Sequence, residues 1–121
     1  MAIILDADVV IRGEKGTFDL KRWVTSRPND RFEIAATTIA ELWQWNERPD
    51  AVLESLPSIP YTEQTGYEHA RIWADLEVYG KMIGFDDLIV GATALERGSE
   101  VATFNRRHFG QISGLSVIEP K

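Results

Sequence analysis

Short apolar runs, each closing on a polar residue, alternate along this chain with segments of helical spacing, and that alternation limits the fold more than any other feature. AIIL (2–5) reads as a buried strand ending at Asp6, and FEIA (32–35) as a second, followed by Thr37 and Thr38. EVATF (100–104) and LSVIEP (115–120) read as two more, and PSIPYT (57–62) as an extended, proline-marked stretch. Between them TFDLKRWVTSR (17–27) carries helical spacing at Phe18, Trp23 and Val24, and TTIAELWQWN (37–46) is helical. PDAVLESL (49–56) starts a further helix with Pro49 in its first turn. The longest helix is expected from Glu63 to Gly80, with Tyr67, Ile72, Trp73, Leu76 and Tyr79 as apolar anchors, and DDLIVGATALERG (86–98) is a helix closed by Gly98. Such alternation implies an α/β fold, a central, mostly parallel sheet between helical layers. In such sheets ligands bind beyond the carboxyl ends of the strands.

A chain of 121 residues suits one domain, 1–121, with 44% hydrophobic and 26% charged residues, an ordinary globular balance. The first apolar run is too short for a signal peptide or membrane span, so a cytoplasmic protein with no membrane association is expected. No cysteine is present, so a metal would be held by oxygen or by His69 and His108. A net charge of −6 argues against a broad basic nucleic-acid surface. Metal ions bridging carboxylates to phosphates would escape that restriction.

Asp6 is expected at the carboxyl edge of the first strand with Asp8 two residues on; taken alone, it reads as the start of a turn. Glu41 shares a helical face with Thr37, Thr38 and Trp45, and taken alone it completes a capping box with Thr38. Adjacent helical side chains diverge by about 100°, so one of Asp86 and Asp87 can cap while the other enters a site. Asn105 follows a strand with Thr103 two residues earlier, and His108 reads as a packing or capping residue rather than a ligand. Convergence of three acids at one sheet edge is a poor coincidence. Crowded carboxylates stay ionised when a divalent cation joins them, and hard oxygen donors point to Mg²⁺, or to Mn²⁺. Such a centre suits phosphodiester hydrolysis by a metal-activated water.

In order, LDADVVI (5–11), TIAELW (38–43), IGFDDLIVGATAL (83–95) and VATFN (101–105) followed by HFGQISGLSVIEP (108–120) resemble the PIN-domain ribonucleases, above all the toxins of VapBC toxin–antitoxin modules. The resemblance implies a three-layer α/β/α sandwich and a Mg²⁺-dependent endoribonuclease, a homodimer inhibited by a cognate antitoxin. By the same resemblance Asp6, Glu41 and Asp87 are the metal-binding catalytic acids and Asn105 completes the site, with Thr103 and Asp8 in support; Asp86, at a position that is variable in the family, is a further supporting candidate. The stretch between Glu41 and Pro57 is shorter than usual for the family, where it helps clasp the partner subunit and the antitoxin. Trp43, Trp45 and Trp73 are candidates for that surface, with buried core as the default reading. Arg12 and Lys15, with Arg106 and Arg107, are the expected RNA-binding cations.

Three other readings compete. A HAD-type phosphatase would use Asp6 as nucleophile, Asp8 as acid/base, Thr38 and Lys81 as phosphate binders and Asp86 with Asp87 for Mg²⁺. A receiver domain lacks the required phosphoacceptor Asp, and a binding module would follow if Asn105 had cost activity.

Overall fold

A computed structural model describes residues 1–44 and 56–121. Five strands, β1 (Ala2–Leu5), β2 (Arg31–Ala35), β3 (Ser58–Ile59), β4 (Glu100–Ala102) and β5 (Val117–Ile118), form one sheet in the order β3-β2-β1-β4-β5. Every neighbouring pair is parallel, with Ile4 beside Glu33 on one flank and Val101 on the other. The sheet needs cover on both faces, which is why β1 is an unbroken buried run.

The two-residue strand period sorts the core. Ile3 and Leu5 point to one face, where they meet Val9, Val10, Leu20, Trp23 and Leu42. Ile4 points to the other, against Ile72, Leu76, Leu88, Val90 and Phe109. The first face is covered by helices α1 (Ala7–Lys15), α2 (Leu20–Thr25) and α3 (Ala36–Gln44), the second by α4 (Glu63–Val78), α5 (Phe85–Arg97) and the short α6 (Arg106–Phe109). The expected α/β/α layering is therefore observed. In α5, Leu88 to Ala94 is continuously buried, and a Cβ on Gly91 would stand 2.5 Å from Ile112 Cδ1. That close approach explains why a glycine stands at position 91.

Several local expectations change. The segment TFDLKRWVTSR is helical only over Leu20–Thr25, because Asp19 accepts a hydrogen bond from the Arg22 amide and so starts the helix late. Thr38 starts no capping box: α3 begins directly after β2 at Ala36, leaving Thr38 inside it with a buried, unbonded hydroxyl. A capping box does form at Thr62–Thr65, where Glu96 of α5 accepts from both hydroxyls and ties α4 to α5. Of the five anchors expected on α4, only Ile72 and Leu76 are buried; Tyr67, Trp73 and Tyr79 are 63%, 46% and 74% exposed. Trp43 is also exposed, so the core reading fails for both Trp43 and Trp73. Trp45 and most of the helix expected from Pro49 lie outside the described residues. Among the described residues no helix is long and apolar enough to cross a membrane.

Candidate active site

In the strand order β3-β2-β1-β4-β5, successive crossovers run outward from β1 on one side and from β4 on the other, so the chain's direction of winding reverses between them. At such a switch point the loops part and leave a crevice beyond the strand ends. Asp6 follows β1 and Thr103 follows β4, so the topology delivers both to that crevice.

Asp6 is 6% exposed and N-caps α1. Its Oδ1 accepts the Ala7 amide at 2.9 Å and its Oδ2 accepts the Thr103 hydroxyl at 2.8 Å. The same Thr103 oxygen accepts the Asn105 amide at 2.9 Å, locking the loop after β4 onto Asp6. Asp8 accepts the Phe104 amide at 3.1 Å and lies 3.4 Å from the Thr103 hydroxyl. One buried hydroxyl thus ties both early acids to the loop that carries Asn105.

Asp87 lies in the first turn of α5, where neither it nor Asp86 caps the helix; Gly84 is the N-cap, without a side-chain bond. The expected division of labour therefore does not occur. Asp87 Oδ2 is 3.2 Å from His108 Nδ1, and the side-chain Nδ2 of Asn105 is 2.9 Å from that same ring nitrogen. Nδ1 can donate to the carboxylate or accept from the amide, so the ring's proton decides which contact is a hydrogen bond. His108 was expected to pack or cap; it instead links Asp87 to Asn105. Its sequence signal was only its place three residues after Asn105, one turn along α6.

Electrostatics joins the remaining acids. Burial, reinforced by the Asp8 and Asp87 charges, pushes the Asp6 carboxyl up to about 8, against the bonds from Thr103 and Ala7. Burial also raises Asp8, opposed by the Phe104 amide and more weakly by the Arg12 charge. Glu41 makes no hydrogen bond among the described residues, yet burial and then Asp86, Asp87 and Asp8 raise it. It therefore sits in the common field of the cluster. Asp86, exposed at the rim, acts on Glu41 more strongly than Asp87 does.

These carboxylates are the donors a hard divalent cation takes, and their mutual repulsion is what such a charge would relieve. Among the described residues no three acids or histidines already stand in an ion-holding arrangement. Of the expected cations, Arg12 lies 4.2 Å over the Phe104 ring, while Lys15, Arg106 and Arg107 are exposed on α1 and α6. Lys81 lines an open cavity of about 500 Å³ with Arg71 and Asp75, a cavity to which none of these acids contributes. The phosphate-binding pair of the phosphatase reading is therefore not assembled, since Thr38 is also buried within α3.

Fold and site together define a doubly wound parallel α/β protein with an acidic centre at its topological switch point. The chain belongs to the PIN-domain family, whose model matches residues 3–115. It is 28% identical to Ribonuclease VapC1 of Rickettsia felis, across 98% of this chain and 96% of that protein. Its fold matches the VapBC2 structure from Rickettsia felis bound to a promoter DNA fragment, with a TM-score of 0.85 at 19% identity and 98% of each chain covered. VapBC-1 of nontypeable Haemophilus influenzae gives 0.84 at 24% identity, again over 98% of each chain.

Proposed function

We propose that this protein is a metal-dependent endoribonuclease of the VapC type, a single-domain cytoplasmic toxin that cuts RNA phosphodiester bonds and is held inactive by a cognate antitoxin. The observation that carries the reading is the field shared by Asp6, Asp8, Glu41 and Asp87 at the switch point of a PIN-domain sheet. An Asp pushed up to about 8 beside further acids is a site that favours either a proton or a cation.

Asp6, Glu41 and Asp87 would hold Mg²⁺ or Mn²⁺, with Asn105 as a neutral oxygen donor completing the site. When bound, the ion supplies charge neutralisation at the phosphodiester and a lowered pKa for the attacking water. The chain's own residues do the rest. Thr103 holds Asp6 by its Oδ2, and the Phe104 amide holds Asp8 against the same loop. His108 fixes the orientation of Asp87, and Asp86 adds negative charge on the Glu41 side. Arg12, Lys15, Arg106 and Arg107 supply cations for RNA phosphates at the rim.

Partner binding draws support from the structural neighbours, which are VapBC assemblies. Exposed aromatic residues on α3 and α4, Trp43, Tyr67 and Trp73 among them, offer apolar area for a homodimer and for an antitoxin.

The test incubates purified, antitoxin-free protein with total RNA in Mg²⁺, Mn²⁺ or EDTA, beside Asp6→Asn and a generic phosphate monoester. Cutting at discrete sites that needs metal and Asp6, with the monoester untouched, is the expected result. Hydrolysis of the monoester with intact RNA would sink the reading.

A further inference from the structure

Of the eight described arginines, three pair their guanidinium with an acid of the described residues. Arg27 lies over Trp23 but also pairs with Asp30 at 2.7 Å, Arg71 pairs with Glu68 at 2.8 Å, and Arg97 pairs with Glu33 at 2.9 Å. Arg12 differs. Its guanidinium carbon stands 4.2 Å from the Phe104 ring centre, and among the described residues that guanidinium makes no hydrogen bond and no ion pair. Lying over the ring uses none of the guanidinium's five N–H donors for a hydrogen bond among the described residues.

The stack is braced from behind. Phe104 packs edge-on against Phe18, with ring centres 5.2 Å apart at 77°. The amides of Thr17 and Phe18 donate to the Arg12 carbonyl at 3.0 and 3.2 Å, so the turn after α1 carries Phe18 back under the same ring. Phe104 is itself tied to the acids, since its amide donates to Asp8 and its neighbours are Thr103 and Asn105. An arginine one helical turn from Asp8 would ordinarily fold onto that carboxylate. Here the Phe104 amide donates to the carboxylate and the Arg12 guanidinium lies over the ring, near enough for its charge to act on Asp8 without pairing with it.

Resting on the ribonuclease reading above, we propose that Arg12 laid on Phe104 is a subsite for an RNA backbone phosphate next to the scissile bond. Phe104 is its positioning residue. A phosphate has the oxygen spacing for the two-pronged edge of a guanidinium, and an acidic centre in a chain of net charge −6 needs a fixed cation at its rim to seat a polyanion. The ring keeps that cation from collapsing onto the acids while the site is empty of RNA.

The experiment measures binding of a fluorescently labelled, mixed-sequence single-stranded RNA 12-mer in Ca²⁺ by anisotropy across a salt series, beside total-RNA cleavage in Mg²⁺. Arg12→Ala is expected to weaken binding roughly 10-fold and to flatten the log–log salt slope by about 0.7, the loss of one phosphate contact. Phe104→Leu is expected to weaken it roughly 3- to 5-fold, as loss of an exposed cation–π contact implies. The same change should have no further effect in Arg12→Ala, and Phe104→Tyr should bind like the parent. Equal weakening by Phe104→Leu in both backgrounds, or an unchanged salt slope in Arg12→Ala, would overturn the subsite. Should Phe104→Leu not fold, Arg12→Lys decides, because it keeps the charge and loses the stacked plane: parental affinity would overturn the proposal and weakened binding would uphold it. A parent protein that cuts and binds RNA while the cycle is additive loses only the subsite; one that neither cuts nor binds loses the ribonuclease reading as well.

Discussion

Asp6, just beyond β1, and Glu33, on the neighbouring strand β2, are both acids and both 6% exposed, and the chain treats them in opposite ways. Glu33 faces α5, where Arg97 reaches back to give its Oε2 a 2.9 Å ion pair. Asp6, at the carboxyl edge, receives hydrogen bonds but pairs with no cationic side chain among the described residues, and the charges that act on it are Asp8 and Asp87. A fold that only needed stability would neutralise both, because an uncompensated buried charge costs several kcal/mol. Leaving the second one frustrated marks the edge of the sheet as the place where an external charge belongs.

The contrast can be broken at either end. The largest effect is expected from Asp6→Asn, which keeps both hydrogen-bond contacts in rearranged form and removes the charge. RNA cleavage should fall at least about 100-fold, and the melting temperature of the metal-free protein at pH 8 should rise. A destabilised, active variant would contradict the comparison.

Next in size is the pH dependence of stability without divalent metal. Because the folded carboxyl of Asp6 is raised from 3.8 to about 8, the native state binds more protons than the unfolded chain between those limits. Stability should therefore be fullest below about pH 4 on this group's account and fall as pH rises towards 8, by on the order of 3 kcal/mol after relaxation. Urea titrations at pH 5 and pH 8 would measure the fall, and added Mg²⁺ should shrink it. Stability that rises with pH over this window would refute the assignment.

At the other end, Arg97→Met strips Glu33 of its partner. A loss of about 2 kcal/mol is expected, reduced from the fully buried case because Arg97 is 38% exposed. Adding Glu33→Gln should recover part of it in denaturant midpoints, whereas cleavage should not change in either variant. The smallest effect is expected for His108→Ala, which frees Asp87 and Asn105 while leaving all the acids in place: cleavage should drop roughly 3- to 10-fold, with thermal stability altered by less than about 1 kcal/mol. Activity equal to the parent would make the His108 contacts incidental.

Much of this was legible beforehand. The β1 run, the α5 run and their closing residues Asp6 and Gly98 follow from local periodicity and capping, and both formed where expected. The exposure of Tyr67, Trp73 and Tyr79 was not legible, because α4 packs mainly on α5 through the narrow face of Thr65, Ile72 and Leu76, and an aromatic residue carries no label for the face it will occupy. Thr38 and Glu41 matched a capping-box pattern, but β2 runs straight into α3, so no free helix start exists there for the box to close. Phe104 drew no attention in the sequence because its significance lies in a residue ninety-two positions earlier that stacks on it.

By itself the sequence determined what depends on neighbours along the chain: strand–helix alternation, hence a parallel layered sheet, and an acid placed directly after the first strand. Only the tertiary structure decided which charges would be paired and which left facing one another. That choice depends on desolvation and on partners brought in from distant segments, Thr103 onto Asp6, His108 onto Asp87 and Arg97 onto Glu33, and no local pattern encodes those distances.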